Sequence, residues 1–186
     1  MFGKDLLLKR QEAFSESFFV DETVMFIEQV GTLIGTRNKK IFICGNGGSA
    51  SQASHFAAEL VGRYKENRNH YCAITIGSDY SISSALSNDF GFENSYAFQL
   101  ENLASEGDVL IVLSTSGNSK NVVKALEKGK MLKMTTCALL GNDGGKAKAY
   151  ADLYYIDNNY DTAIIQEHHL VLIHLICEYL QKYEVD

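Results

Sequence analysis

No proline occurs anywhere in the chain, so helix ends must be set by Gly, Ser, Asn and Asp. Basic charge is short as well: 17 Lys and Arg stand against 23 Asp and Glu, a net charge of −6. That sign gives no general attraction to nucleic acid or to anionic lipid, and neither is expected as a partner. Any phosphate must be held locally, by aimed N–H and hydroxyl donors. Long apolar runs are missing too. The longest are strand-sized, so no membrane span is expected. The opening MFGKDLLLKRQEAF mixes charge among its apolar residues and has no signal-peptide core or cleavage site, which makes the cytoplasm the expected compartment. Cys44, Cys72, Cys137 and Cys177 form no CxxC pair, which argues against a zinc knuckle or a dithiol motif. Each sits in an apolar run and is expected to be a buried, reduced thiol.

What is present suits one sizeable globular core: 186 residues, 46% hydrophobic and 22% charged. Up to about Arg37 apolar residues recur at threes and fours (Leu6, Leu7, Phe14, Phe18, Val24, Ile27, Val30, Ile34). This predicts two helices that break near Val20, with Asp21 as a candidate cap. Such a Phe-rich arm, residues 1–37, can pack on its own sheet or against a partner chain, and both remain open. Apolar strand-like runs follow at residues 41–44, 71–76, 108–114, 135–140 and 152–156. Helical spacing separates them, over about 79–86, 95–104, 122–134 and 162–182, with a polar hinge at 87–93. Strands alternating with helices imply parallel βαβ crossovers. The expected fold class is therefore α/β: a single domain whose residues 38–186 form a doubly wound sheet of about five parallel strands, flanked by helices.

Two stretches echo each other. IFICGNGGS and VLIVLSTSGNS are both strand, then Gly/Ser/Asn turn, then helix. Ligands of doubly wound folds bind at the carboxyl ends of strands where strand order reverses, so both loops could face one pocket. The glycine loop suggests an anion cradle at a helix start. Ser114, Thr115, Ser116 and Ser119 supply four hydroxyls before the next helix, either as a phosphate cradle or as a turn with a cap. Neither loop is a Walker motif. GNGGSA, at 45–50, fits the loose dinucleotide fingerprint, but the acidic residue expected about 20 positions on is absent, so nucleotide binding is disfavoured.

His55 and Glu59 stand four apart, sharing a helix face with Cα atoms roughly 6 Å apart. The spacing suits a metal pair, a base with its orienting neighbour, or an ordinary surface pair. Near the C-terminus IIQEHHLVLIHLICEYL is apolar almost all round, with Gln166 and His174 as its polar interruptions. A lone His on such a helix is more often a satisfied core residue than a catalyst. The adjacent His168 and His169 read as packing or solvent residues. Asp89, in the hinge, suits either a loop cap or a sugar-hydroxyl acceptor.

CGNGGSASQASHFAAELVGRY, SNDFGFE, LSTSGNSKNVVKAL and IQEHHLVLIH, in this order and spacing, resemble the sugar isomerase (SIS) domain and, within it, the bacterial phosphoheptose isomerase family. That resemblance implies conversion of sedoheptulose 7-phosphate to D-glycero-D-manno-heptose 7-phosphate through an enediol(ate), supplying lipopolysaccharide-type glycan precursors. It implies that Ser114, Thr115, Ser116 and Ser119 hold the phosphate. Asn46, Gly47, Gly48, Ser49, Asn88, Asp89 and Gln166 would line the sugar. Glu59 and His174 would be the acid/base pair. A zinc ion held by His55, Glu59, Gln166 and His174, and a homotetramer with active sites between subunits, are implied as well. Two conflicts come with the zinc set. A zinc-bound carboxylate is a poorer base. Gln166 and His174 are also eight residues apart, a rise of about 12 Å on a regular helix, so the helix start must be irregular or the ligands must come from different subunits. The alternatives are a non-catalytic SIS scaffold binding a replication initiator, and another sugar-phosphate isomerase.

Overall fold

The computed structural model describes residues 2–36, 38–67 and 70–183; Arg37, where the expected arm ends, lies outside them. Helices α1 (Phe2–Phe18) and α2 (Asp21–Gly35) lead into β1 (Lys40–Gly45) and α3 (Gly48–Val61). There follow β2 (Cys72–Thr75), α4 (Tyr80–Phe90), α5 (Ser95–Leu103), β3 (Val109–Ser114) and α6 (Lys120–Met131). The chain closes with β4 (Thr135–Gly141), β5 (Leu153–Asp157) and α7 (Thr162–Lys182). The five strands pair in the order β2-β1-β3-β4-β5, every pair parallel.

Strand residues alternate between two cores, as a pleat buried on both faces requires. Ile41, Ile43, Val109, Ile111 and Leu139 face one layer with α2, α3 and α7. Phe42, Cys44, Leu110, Val112 and Leu140 face the other, with α5 and α6. From β1 the chain steps outward to β2, then returns to place β3 on the opposite side. The switch point lies between β1 and β3, so the loops leaving these strands are neighbours, as the sequence echo predicts.

Several expectations need correction. Asp21 does not cap α2: Val20 holds the cap position without a side-chain bond, and Asp21 is the first helical residue. The Thr23 hydroxyl closes the junction instead, donating to Ser17 O at 2.7 Å. The expected hinge begins late, because residues 87–90 complete α4. Gly91, at φ 83°, ends that helix, where a residue with a Cβ would be strained. Cys72 is exposed because β2 is an edge strand, while Cys44, Cys137 and Cys177 are buried.

His168 and His169 are both packing residues. His168 Nδ1 meets Asp157 at 2.5 Å, and Phe14 and Phe18 present ring edges to the imidazole, so the second half of α1 docks on the chain's own core. His169 Nε2 donates to Leu140 O, and burial pushes its pKa down to about 4. Further along the arm, Leu7 and Phe19 stay largely exposed. Among the described residues no helix is long and apolar enough to cross a membrane.

Candidate functional site

β1 ends at Gly45, where an added Cβ would lie 2.9 Å from Leu113 O and from Ser49, so the first loop packs tightly onto β3. Gly47 turns the chain at φ 56°, ψ −123°, a conformation open in practice to glycine alone, and caps α3 without a side-chain bond. Gly48 then lets α3 start against α7: a Cβ there would sit 2.6 Å from Gln166 Nε2. Ser49 is buried, and its N–H closes the turn onto Asn46 O at 3.0 Å.

The second loop is built differently. Ser114 is buried and its Oγ accepts from Gly117 N–H at 3.1 Å, which leaves the hydroxyl proton to donate. Ser116 Oγ accepts from Asn118 N–H at 3.2 Å, while Thr115 and Ser116 are half-buried. Ser119 is the N-cap residue of α6, yet its side chain makes no cap bond. The hydroxyl oxygens of Ser114 and Ser116 thus hold the turn, as the turn reading expects, without a side-chain cap on α6. Gly117, at φ 62°, presses on the loop after β4, where a Cβ would fall 2.0 Å from Gly144 O.

Helices α3 and α7 supply the titratable groups. His55 Nε2 lies 3.6 Å from Glu59 Oε1 and 3.0 Å from His174 Nε2, with the two imidazoles edge to face. His174 is thus partnered, and the His55–Glu59 pair lies beside it. The two Nε2 atoms can bond only if one donates and the other accepts, so the contact holds a single proton. Beside them Tyr64 donates to Glu178 at 3.3 Å; burial, followed by Glu178, pushes its pKa up to about 12. The phenol therefore stays a neutral donor.

Gln166 does not join this cluster. It lies beside Gly48, at the other end of the helix contact, and Gln52 Nε2 donates to its backbone oxygen at 2.5 Å. Because α7 is helical throughout Thr162–Lys182, an irregular start cannot bring Gln166 to His174. Among the described residues no three His, Cys, Asp or Glu side chains form a group able to hold a metal. Of the four residues expected to hold zinc, His55, Glu59 and His174 meet at the α3–α7 contact, and Gln166 stands at the Gly48 end of it. Asn88 and Asp89 occupy the exposed last turn of α4, where Asn88 Nδ2 donates to Asp89 Oδ1 at 2.8 Å. No residue of α4 is buried.

Three contributors were not foreseen. Asn121 pairs reciprocally with Asn46, Tyr96 OH reaches both Gly45 O and Asn46 Oδ1, and Gln52 bridges α3 to α7. Asn121 carried a faint signal, as the one amide in α6, in its first turn. Tyr96 carried none.

On this five-stranded parallel sheet, with two helix starts at its switch point, the SIS domain matches residues 19–141. A phosphoheptose isomerase of Helicobacter pylori strain P12 is 47% identical over 182 residues, which cover 97% of this chain and 91% of that one. A phosphoheptose isomerase of Aquifex aeolicus is 43% identical over 185 residues, covering 98% and 97%. The structure of phosphoheptose isomerase GmhA from Neisseria gonorrhoeae superimposes with a TM-score of 0.87 at 35% identity, covering 97% of both chains. This chain belongs to the phosphoheptose isomerase family of SIS-domain proteins.

Proposed function

We propose that the chain is the isomerase that converts sedoheptulose 7-phosphate to D-glycero-D-manno-heptose 7-phosphate. The observation that carries the reading is the convergence of His55, Glu59 and His174 on the α3–α7 contact, in a family whose relatives bear that activity in their names. Moving a carbonyl from C2 to C1 requires a proton to leave C1 and one to return at C2. A second group must carry protons between the two oxygens. Glu59 suits the carbon base, and His174, already sharing a proton with His55, suits the oxygen shuttle and ring opening. The hydroxyls of Ser114, Thr115, Ser116 and Ser119, with the first N–H groups of α6, suit the phosphate of an acidic protein. Asn46, Gly47, Gly48 and Ser49 form the wall for the sugar, where bare backbone permits close approach.

Zinc fits in part. His55, Glu59 and His174 are donors of the right chemistry and meet at the α3–α7 contact, whereas Gln166 stands at the Gly48 end of that contact. When bound, zinc would polarise the carbonyl and stabilise the enediolate. A tetramer with shared sites is consistent with the exposed Leu7 and Phe19 of the arm and with α4, which buries none of its residues and carries Asn88 and Asp89. The product would feed lipopolysaccharide-type glycan precursors in the cytoplasm.

The test is exchange of the C1 proton of sedoheptulose 7-phosphate with deuterated water, followed by NMR. Turnover supports the reading. No exchange, together with pull-down of a replication initiator, would move the protein to the scaffold alternative. Metal analysis settles the zinc: full activity in protein shown to be metal-free removes it from the mechanism.

A further inference from the structure

Asn121 lies 75 residues from Asn46 and is 2% exposed, yet the two side chains form a reciprocal amide pair, each bond 2.8 Å long. The orientation of that pair is dictated from one end. Asn121 Oδ1 also accepts from Val122 N–H at 3.0 Å, in the first turn of α6, and a backbone N–H can only donate. The oxygen of Asn121 is therefore fixed, so its nitrogen must face Asn46, and Asn46 must offer Oδ1 in return.

Tyr96 closes the other side. Its hydroxyl lies 2.5 Å from Gly45 O and 2.9 Å from Asn46 Oδ1, and burial keeps the phenol protonated. Gly45 O cannot donate, nor can Asn46 Oδ1 in the orientation set by Asn121, so the one phenol proton is shared between these two acceptors. Turning the Asn46 amide over would set oxygen against oxygen and N–H against N–H toward Asn121, at the cost of both bonds. One N–H of Asn46 is left outside this network, and it is the only donor that amide has to spare.

We propose that Asn121 is a positioning residue: it transmits the orientation of the α6 start to Asn46, so that the Asn46 amide presents an N–H, and not its oxygen, to the substrate. The Tyr96 hydroxyl packs against the opposite side of that amide. The proposal rests on the sugar-wall role of Asn46 given above. It couples the helix start assigned to the phosphate with the loop assigned to the sugar, across the switch point. The site thereby selects a sugar oxygen able to accept at that position.

Asn121→Asp separates positioning from structure. The carboxylate still accepts from Val122 N–H but has no proton for Asn46 Oδ1. A helix-start role alone would be rescued by Asp; positioning would not. Asn121→Asp and Asn121→Ala are each expected to lower kcat/KM for sedoheptulose 7-phosphate by about 10- to 100-fold. In an Asn46→Ala background either change should cost less than about 3-fold, because neighbours that act through one another are not additive. Wild-type kinetics for Asn121→Asp, or equal losses in both backgrounds, would overturn the proposal. A crystal structure of Asn121→Asp gives the readout that needs no activity: the Asn46 side chain should turn away from its wild-type position, and an unmoved Asn46 overturns the proposal. Failure of the wild-type protein to turn over substrate would instead refute the functional reading, with the crystallographic result still deciding the positioning.

Discussion

The loops after β1 and β3 share one plan and offer different things. The first is a stretch of bare backbone, turned at Gly47 and followed by a helix carrying His55 and Glu59. The second is a set of hydroxyls pinned between Gly117 and the loop after β4. Both begin helices without a side-chain cap, whereas Asp79 caps α4 at 2.8 Å and Asp161 caps α7 at 3.0 Å. A capping carboxylate at α3 or α6 would occupy the N–H groups and repel a phosphate. The two helix starts at the switch point are open, as are those of α2 and α5, whereas α4 and α7 are closed by their aspartates. In the proposed function, the first loop delivers chemistry and the second delivers anchorage.

That division can be broken most forcefully at Glu59. Glu59→Gln should lower kcat by about 10³-fold, equivalent to roughly 4 kcal/mol, with KM little changed. Steady-state kinetics decide it, and retention of the wild-type rate would remove Glu59 as the base. Next in size, Gly117→Ala forces a Cβ onto Gly144 O in a left-handed conformation. It should cost about 3 kcal/mol of unfolding free energy in a urea titration. Ser119→Ala sharpens the contrast from the anchorage side: KM should rise about 10-fold while kcat stays within about 3-fold of wild type, as expected for loss of a hydrogen bond to a charged group. A fall in kcat alone would place Ser119 in the chemistry instead. The smallest effect is expected at Gly47→Ala, where a Cβ meets nothing within 4 Å and only the backbone conformation opposes it. The cost should be about 1–2 kcal/mol by the same titration, and a cost matching Gly117→Ala would show that packing does not distinguish the loops.

How much of this could be read from residues alone depends on the range of the interaction. The strands were legible because each is an apolar run, buried on both faces in β1, β3 and β4, and α7 was legible from Thr162 to Lys182 because its pattern is unbroken. The neighbourhood of the two loops followed from the parallel crossovers. Residues 87–90 misled, since Ser, Asn and Asp look like a turn; there Ser87 Oγ bonds back to Ser83 O at 2.6 Å within the helix. Cys72 misled because an apolar run does not tell an edge strand from a central one. The partners of Asn121 and Tyr96 lie far off in the chain and leave no local pattern. Gln166 shows the opposite case: its distance from His174 followed from helix geometry alone, and a regular α7 leaves it at the Gly48 end.

The placement of the site on β1 and β3 bears on how it comes apart. Cys44 pairs with Val112 and Gly45 with Leu113, in the middle of the sheet, with β2 on one flank and β4 and β5 on the other. Fraying begins at edges, at β2, at β5 and along the arm. Amide protons beneath the two loops should therefore exchange with solvent only when the whole domain opens. A mutation that loosens the periphery would thin the population of folded molecules without first blurring the geometry at Asn46 and Ser114. Activity per folded molecule would hold until the fold itself is lost.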